Sequence, residues 1–198
     1  MKVLLAGLCL LALAVGATDP KPAPVVKALG VATAPVMVEV FSDFQCPSCK
    51  ILYEDTLRPL VADYVNKGKV YLIHRDFPLS NHAHSREAAI YANAAFRVNK
   101  YEMVSAALFR QQTMWAANGK VEDAVASALS PAELQKVRAL IKDPQMSLEM
   151  EQDIALGTKA NVRQTPTMIF HHKGAAYPVS GRVDYTILRK FIDDLLSK

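Results

Sequence analysis

The chain has 198 residues, 51% of them hydrophobic, which is enough for one domain with a substantial core. Its 23 basic and 19 acidic side chains give a net charge of +4, and the basic residues are scattered along the sequence. Nucleic-acid-binding proteins concentrate their basic residues on one surface, so this pattern argues against a nucleic-acid partner.

The first 17 residues have the pattern of a secretory signal peptide. Lys2 precedes an apolar run that is too short to cross a bilayer comfortably, and the sequence VGA at 15–17 offers small residues to a signal peptidase. Cys9 lies in the middle of that run, not at its end, where a lipoprotein signal would need it. We therefore predict cleavage after Ala17, which removes Cys9, and a periplasmic or secreted mature protein.

Residues 18–35 form a Pro- and Ala-rich lead-in to the folded domain. The following run at 36–41 (VMVEVF) is short and rich in β-branched residues, which predicts a buried strand. The sequence CPSC at 46–49 comes shortly afterwards, and apolar residues at helical spacing over 57–65 predict the next helix. Pro59 lies inside that stretch and is expected to kink it. The cysteines are therefore predicted at a strand-to-helix turn.

The rest of the chain predicts strands on both sides of a helical block. A second strand is predicted at 70–77, and the residues from about 82 to 160 have mainly helical patterns. Strands at 167–172 and 175–181, joined by a short turn, predict a hairpin that is followed by an amphipathic helix. We predict an α/β domain over 36–198 with a helical insertion.

The two cysteines of the CPSC sequence have the spacing of a redox-active dithiol. A helix N-terminus stabilises a thiolate, so Cys46 is the predicted nucleophile, exposed and with a pKa lowered into the range of about 3.5 to 7.5. Cys49, one turn further along the helix, is predicted to resolve a mixed disulfide by attacking Cys46.

Other roles for the cysteine pair fit the sequence less well. A structural disulfide here would close too small a loop to constrain the unfolded chain much. Zinc needs about four ligands, and this chain offers one cysteine pair and five scattered histidines. His82 and His84 lack an evident third ligand and are predicted to cap the helix that follows them. No metal site and no cofactor are predicted, and a protein that carries copper or zinc through the dithiol is the alternative from a different functional class.

Three segments resemble the DsbA-like branch of the thioredoxin superfamily: FSDFQCPSCK, HRDFPLSNHAHSREAA and VRQTPTMIF. The resemblance extends from about Val36 to the C-terminus and implies a thioredoxin fold with an inserted helical subdomain. It also implies a cis peptide bond between Thr165 and Pro166, placed opposite Cys46, where the Thr165 backbone pairs with a substrate peptide.

The same resemblance places Glu39 where DsbA keeps a buried acid beneath the cysteines, able to take a proton from Cys49. This chain has one more residue between the Phe-Ser sequence and Cys46, so the correspondence requires a loop insertion. A strand residue that faces solvent or forms a salt bridge is an equal alternative for Glu39.

The resemblance favours an exported oxidase that donates disulfides to unfolded or reduced exported proteins. A DsbB-like or VKOR-like membrane protein would reoxidise it. Pro47-Ser48 replaces the Pro-His of DsbA, and a hydroxyl only partly replaces a histidine beside a thiolate, so we predict a less oxidising couple.

Thr165 resembles the isomerases DsbC and DsbG instead of DsbA, which has a valine there. Those isomerases dimerise through a separate N-terminal domain that residues 18–35 are too few to build. An isomerase or reductase that another thiol donor keeps reduced therefore stays open.

Overall fold

The computed structural model describes residues 26–198. The predicted signal peptide and residues 18–25 of the lead-in lie outside this part of the chain. None of the helices within it is long and apolar enough to cross a membrane.

Five strands form one mixed sheet in the described part of the chain. They are β1 (Lys27–Leu29), β2 (Val36–Ser42), β3 (Val70–Asp76), β4 (Thr167–His172) and β5 (Ala175–Ser180). Their spatial order is β1-β3-β2-β4-β5, with β2 and β3 parallel and every other neighbouring pair antiparallel. The four strands that the sequence predicts, β2 to β5, are confirmed with nearly the same bounds. The central strand β2 carries the chain towards the cysteines.

Helices connect and cover these strands. The first, α1, covers residues 47–65, and six helices between β3 and β4 confirm the predicted helical block. These six are α2 (Ser85–Arg97), α3 (Tyr101–Arg110), α4 (Gln112–Asn118), α5 (Val121–Ala126), α6 (Pro131–Leu140) and α7 (Pro144–Lys159), and α8 (Tyr185–Leu196) closes the chain.

Strand β1 lies in the lead-in, where no strand was predicted. It has three residues, too few to show an alternating pattern in the sequence. It pairs with β3, and the buried ammonium of Lys27 donates to Asp76 (2.5 Å), Asn93 (2.8 Å) and Asp153 (2.9 Å). Residues 27–29 of the lead-in are thus part of the sheet, held there by contacts with residues distant in sequence.

Helix α1 is irregular around Pro59. Two π-helical segments, Leu52–Leu57 and Val61–Val65, lie on either side of a short α-helical segment that contains the proline. Proline has no N–H, and its ring crowds the carbonyl four residues earlier, so wider i→i+5 hydrogen bonding makes room for it. The kink predicted at Pro59 stays a prediction; the structure shows irregular hydrogen bonding there, and the helix continues to Val65.

The two faces of β2 pack against different sets of residues. Val36, Val38 and Val40 are fully buried in the main apolar cluster, which also contains both cysteines. Because side chains alternate along a strand, Phe41 points to the opposite face, where it packs in a second, smaller cluster. The cysteines therefore belong to the larger core, on the face defined by Val38 and Val40.

Candidate active site

The cysteine pair lies where β2 turns into α1. The Cys46 N–H donates to the Asp43 carbonyl at 3.1 Å, which forms a tight turn after the strand. Cys46 caps the helix with extended backbone, and Pro47 takes the first helical position, where its missing N–H leaves no bond unmade. Both cysteines are free thiols, and the predicted strand-to-helix turn is confirmed.

The exposure of Cys46 differs from the prediction. Cys46 is 7% exposed and Cys49 is 1% exposed, so the expectation of an exposed nucleophile is wrong. The cause is the segment before β4, because the Thr165 carbonyl oxygen lies 3.4 Å from the Cys46 sulfur. A small part of Cys46 still reaches the surface, whereas Cys49 is enclosed.

The two thiols have opposite acidities. The hydrogen bond from the Cys49 thiol is the largest cause that lowers the pKa of Cys46; burial opposes it. The Thr165 side chain and the backbone N–H groups at the start of α1 add to the lowering, and the pKa of Cys46 falls to about 5. Burial is the largest cause that raises the pKa of Cys49 well above its usual range, and the neighbouring Cys46 raises it further. Near neutral pH the pair therefore consists of a Cys46 thiolate and a Cys49 thiol.

The Thr165-Pro166 segment lies against Cys46. The peptide bond between these two residues is cis, as the resemblance implies. Thr165 is itself buried, and its backbone oxygen makes the contact with the Cys46 sulfur. The structure thus brings together Cys46, Cys49 and Thr165.

Glu39 does not join this group. It alternates with Val38 and Val40 and so lies on the face of β2 away from the cluster that holds the cysteines. One of its oxygens accepts two hydrogen bonds from Arg75, at 2.8 and 2.9 Å, and the other lies 3.0 Å from His171 Nε2. The salt-bridge alternative is therefore the one that the structure shows, and Glu39 is not placed to take a proton from Cys49.

Asp43, which was not among the predicted site residues, is the buried acid next to the cysteines. Its side chain has no exposed surface. Its backbone N–H donates to the Cys49 sulfur at 3.4 Å. In the sequence, the feature that could have indicated Asp43 is an acidic residue between Phe41 and Phe44, just before the CPSC sequence.

Gln112, at the start of α4, is a second residue of the site that was not predicted from the sequence. Its side-chain amide donates to the Phe44 carbonyl at 2.7 Å and to the Cys46 carbonyl at 3.0 Å. Gln112 is buried, so these bonds are shielded from water. The helical block thus supports the turn that carries Cys46.

The prediction that His82 and His84 cap a helix is wrong. His84 occupies the N-cap position of α2, but no side chain makes a capping bond there. The His84 ring packs against Gly119, and His82 Nδ1 lies 2.7 Å from the Asp43 carboxylate. Within residues 26–198, no three His, Cys, Asp or Glu residues are grouped closely enough to hold a metal ion.

Known proteins share this fold. A family model described as thioredoxin matches residues 23–194, which is most of the chain. The chain therefore belongs to the thioredoxin family.

Similar proteins are found among both curated sequences and solved structures. Disulfide bond formation protein D of Bacillus subtilis (strain 168) is 26% identical over 174 residues, which cover 83% of this chain and 74% of that protein. The crystal structure of oxidised BdbD from Bacillus subtilis has a TM-score of 0.71 at 24% identity, covering 87% of this chain and 94% of that one. The structure of alpha-DsbA1 from Wolbachia pipientis has a TM-score of 0.72 at 19% identity, covering 88% and 92%. The predicted DsbA-like thioredoxin fold is confirmed.

Proposed function

We propose that this chain, a thiol:disulfide oxidoreductase by family and fold, donates disulfides to reduced proteins through Cys46 and Cys49. The observation that carries the proposal is the opposite acidity of the two thiols, with the pKa of Cys46 lowered to about 5 and that of Cys49 raised. A stable Cys46 thiolate is a good leaving group, and its stability favours the reduced form of the pair. Both effects suit a protein that gives its disulfide away.

The proposed reaction has two exchange steps. A substrate thiolate attacks the Cys46 sulfur of the oxidised pair, a mixed disulfide forms, and the Cys46–Cys49 bond breaks with its electrons left on Cys49. A second substrate thiolate then attacks the substrate sulfur of the mixed disulfide and releases Cys46 as a thiolate. The substrate loses two electrons and gains a disulfide, and the pair gains those electrons, with a proton on Cys49.

Thr165 and Pro166 form the proposed contact with the substrate backbone. Thr165 lies against the Cys46 sulfur, so an extended peptide that pairs with this segment would present its own sulfur to Cys46. Pro47 and Ser48, between the cysteines, complete the proposed site. We assign Glu39 a structural role, because its carboxylate is occupied by Arg75.

We further propose that the protein is exported and acts on unfolded or reduced exported proteins. The signal-peptide pattern of residues 1–17 supports export. A quinone-linked membrane protein of the DsbB or VKOR kind would reoxidise the pair. The similar protein of Bacillus subtilis is named for disulfide bond formation, which agrees with this direction.

The reduction potential of the Cys46–Cys49 couple tests the direction of the reaction. The purified protein is equilibrated in glutathione buffers of graded ratio, and the reduced fraction is measured after acid quenching and alkylation. A potential near the oxidising end of the family range, at about −120 mV, supports an oxidase, and we expect a value somewhat below it because Ser48 replaces a histidine. A value near −270 mV would reject the oxidase in favour of a reductase. Cys46→Ser is the inactive control.

A further inference from the structure

We propose that Asp43 is a positioning residue for the resolving cysteine: its buried carboxylate holds the turn between β2 and α1 so that the Asp43 N–H is directed at Cys49 Sγ. The inference deepens the proposed function and depends on it, because a resolving thiol has a task only if the pair exchanges disulfides. Asp43 itself does not touch a substrate sulfur.

The Asp43 carboxylate is fully engaged by hydrogen bonds. One oxygen accepts from the Gln45 N–H (2.7 Å) and the Ser85 hydroxyl (2.6 Å). The other accepts from the Leu79 N–H (2.8 Å), and His82 Nδ1 lies 2.7 Å from it. A carboxylate has about four lone-pair sites, so these four partners occupy all of them.

These bonds fix the backbone of the turn. The bond to Gln45 comes from within the turn, and the bonds to Leu79, His82 and Ser85 come from the segment that leads into α2. Because the side chain has no exposed surface, rotating it would leave buried donors without partners and without water. The orientation of the Asp43 peptide is set by the same bonds.

This orientation matters at Cys49. The Asp43 N–H lies 3.4 Å from the Cys49 sulfur, in a place where burial disfavours a thiolate. Cys49 carries negative charge whenever it leaves the disulfide and whenever it attacks Cys46. A hydrogen bond to that sulfur stabilises the charge, since bonds to ionised groups are stronger than bonds to neutral ones. Asp43 thus supports Cys49 through its backbone and holds that backbone through its side chain.

The test measures the two halves of the exchange separately in Asp43→Asn. Reduced protein is mixed with oxidised glutathione and quenched with acid at a series of times. Mass spectrometry then follows the mixed disulfide at Cys46 as it forms and as Cys49 resolves it. We expect resolution to slow by about fourfold to fifteenfold, given the strength of a hydrogen bond to a charged group and the partial dependence of thiolate reactivity on pKa. Formation of the mixed disulfide should change by less than about twofold, because it uses Cys46.

Asp153→Asn is the matched control. Asp153 is also a buried carboxylate with several donors, which include Lys27 and Arg75, but it contacts neither cysteine. We expect it to lower the melting temperature and leave the ratio of resolution to formation unchanged. Equal ratios in wild type, Asp43→Asn and Asp153→Asn would overturn the inference.

If Asp43→Asn does not fold, a less disruptive variant can be used for the same measurement. Ser85→Ala removes one of the four donors to the carboxylate and keeps the charge. It should slow resolution selectively, and an unchanged ratio would again overturn the inference. A wild-type protein that forms no mixed disulfide at all would contradict the proposed function instead, so the two failures are distinguishable.

Discussion

At the scale of single residues, the site depends on a division of acidity between two sulfurs. The Cys49 thiol donates to Cys46, so each cysteine shifts the pKa of the other in the opposite direction. Burial alone would raise the pKa of both thiols, because it disfavours the charged form. Cys49 is the more deeply buried of the two, so the contact between the sulfurs stabilises a thiolate at Cys46 and not at Cys49.

We predict that the Cys46 thiolate titrates with a midpoint near pH 5 in the reduced protein, measured by thiolate absorbance or by the pH dependence of alkylation. Cys49→Ala removes the largest favourable contact and should raise the midpoint, whereas Cys49→Ser keeps a donor and should raise it less. Equal midpoints in wild type and Cys49→Ala would contradict the assigned cause.

This titration also predicts how stability depends on pH. The folded pKa of Cys46 is lower than that of a thiol in the unfolded chain, so the contribution is complete above the unfolded value, near pH 8.5, and is lost as the pH falls through about 5. Melting temperatures of the reduced protein should therefore fall relative to those of the oxidised protein on acidification through this range. A constant difference between the two forms from pH 9 to 5 would reject this linkage.

At the scale of elements, the turn between β2 and α1 is held from two sides. Asp43 and Gln45 receive hydrogen bonds from the segment before α2, since the His84 N–H donates to the Gln45 side chain at 2.8 Å. Gln112 of α4 donates to the turn from the other side. The helical insertion thus contributes to the site although it carries neither cysteine.

We predict that Gln112→Ala lowers the free energy of unfolding by roughly 1–3 kcal/mol, because the buried Phe44 carbonyl loses its donor. The Cys46 carbonyl loses one donor and keeps its bonds from the Cys49 and Lys50 N–H groups. The neighbouring Gln111 is the matched control, since its amide bonds an exposed serine hydroxyl and Gln111→Ala should change stability by less than about 0.5 kcal/mol. Denaturant unfolding measures both values. A loss in Gln112→Ala no larger than in the control would show that the two bonds do not stabilise the turn.

At the scale of the whole molecule, a buried ionic network joins the lead-in to the helical insertion. Lys27 of β1 pairs with Asp76 at the end of β3 and with Asp153 of α7. Arg75 extends the network through Asp153 to Glu39 on β2. Parts of the chain that are far apart in sequence therefore share one set of charges.

We predict that Lys27→Met destabilises the protein by about 3–5 kcal/mol, because it leaves the buried Asp76 and Asp153 without their ammonium. Lys67→Met is the control, since Lys67 is exposed and its pair with Asp63 at 3.7 Å should contribute at most about 1 kcal/mol. Chemical denaturation compares the two variants. Similar losses in both would mean that the buried network contributes no more than a surface pair.

The sequence predicts the features that local patterns determine. Strands β2 to β5, the helical block and the cysteines at a helix start all follow from periodicity and spacing over a few residues. Local patterns do not show that Thr165 covers Cys46, because it lies 119 residues further along the chain. Its position opposite Cys46 followed only from the family resemblance, which did not indicate how much of Cys46 it would bury.

The role of Asp43 escaped prediction for the same reason. Three of its four donors come from residues 79–85, and nothing in the local sequence shows that this segment returns to the turn. Glu39 illustrates the converse case, since an alignment through an inserted residue suggested a position that the alternation of the strand rules out.

The covering of Cys46 has a consequence for which thiols can react. With 7% of the residue accessible and the Thr165 carbonyl oxygen 3.4 Å from its sulfur, Cys46 leaves an attacking sulfur only a small opening. A cysteine in a loose, extended segment can enter such an opening, whereas a cysteine held on a rigid, convex surface meets steric obstruction first. We therefore expect the site to select its partners by the shape and mobility of the chain around the incoming sulfur more than by the identity of the neighbouring side chains.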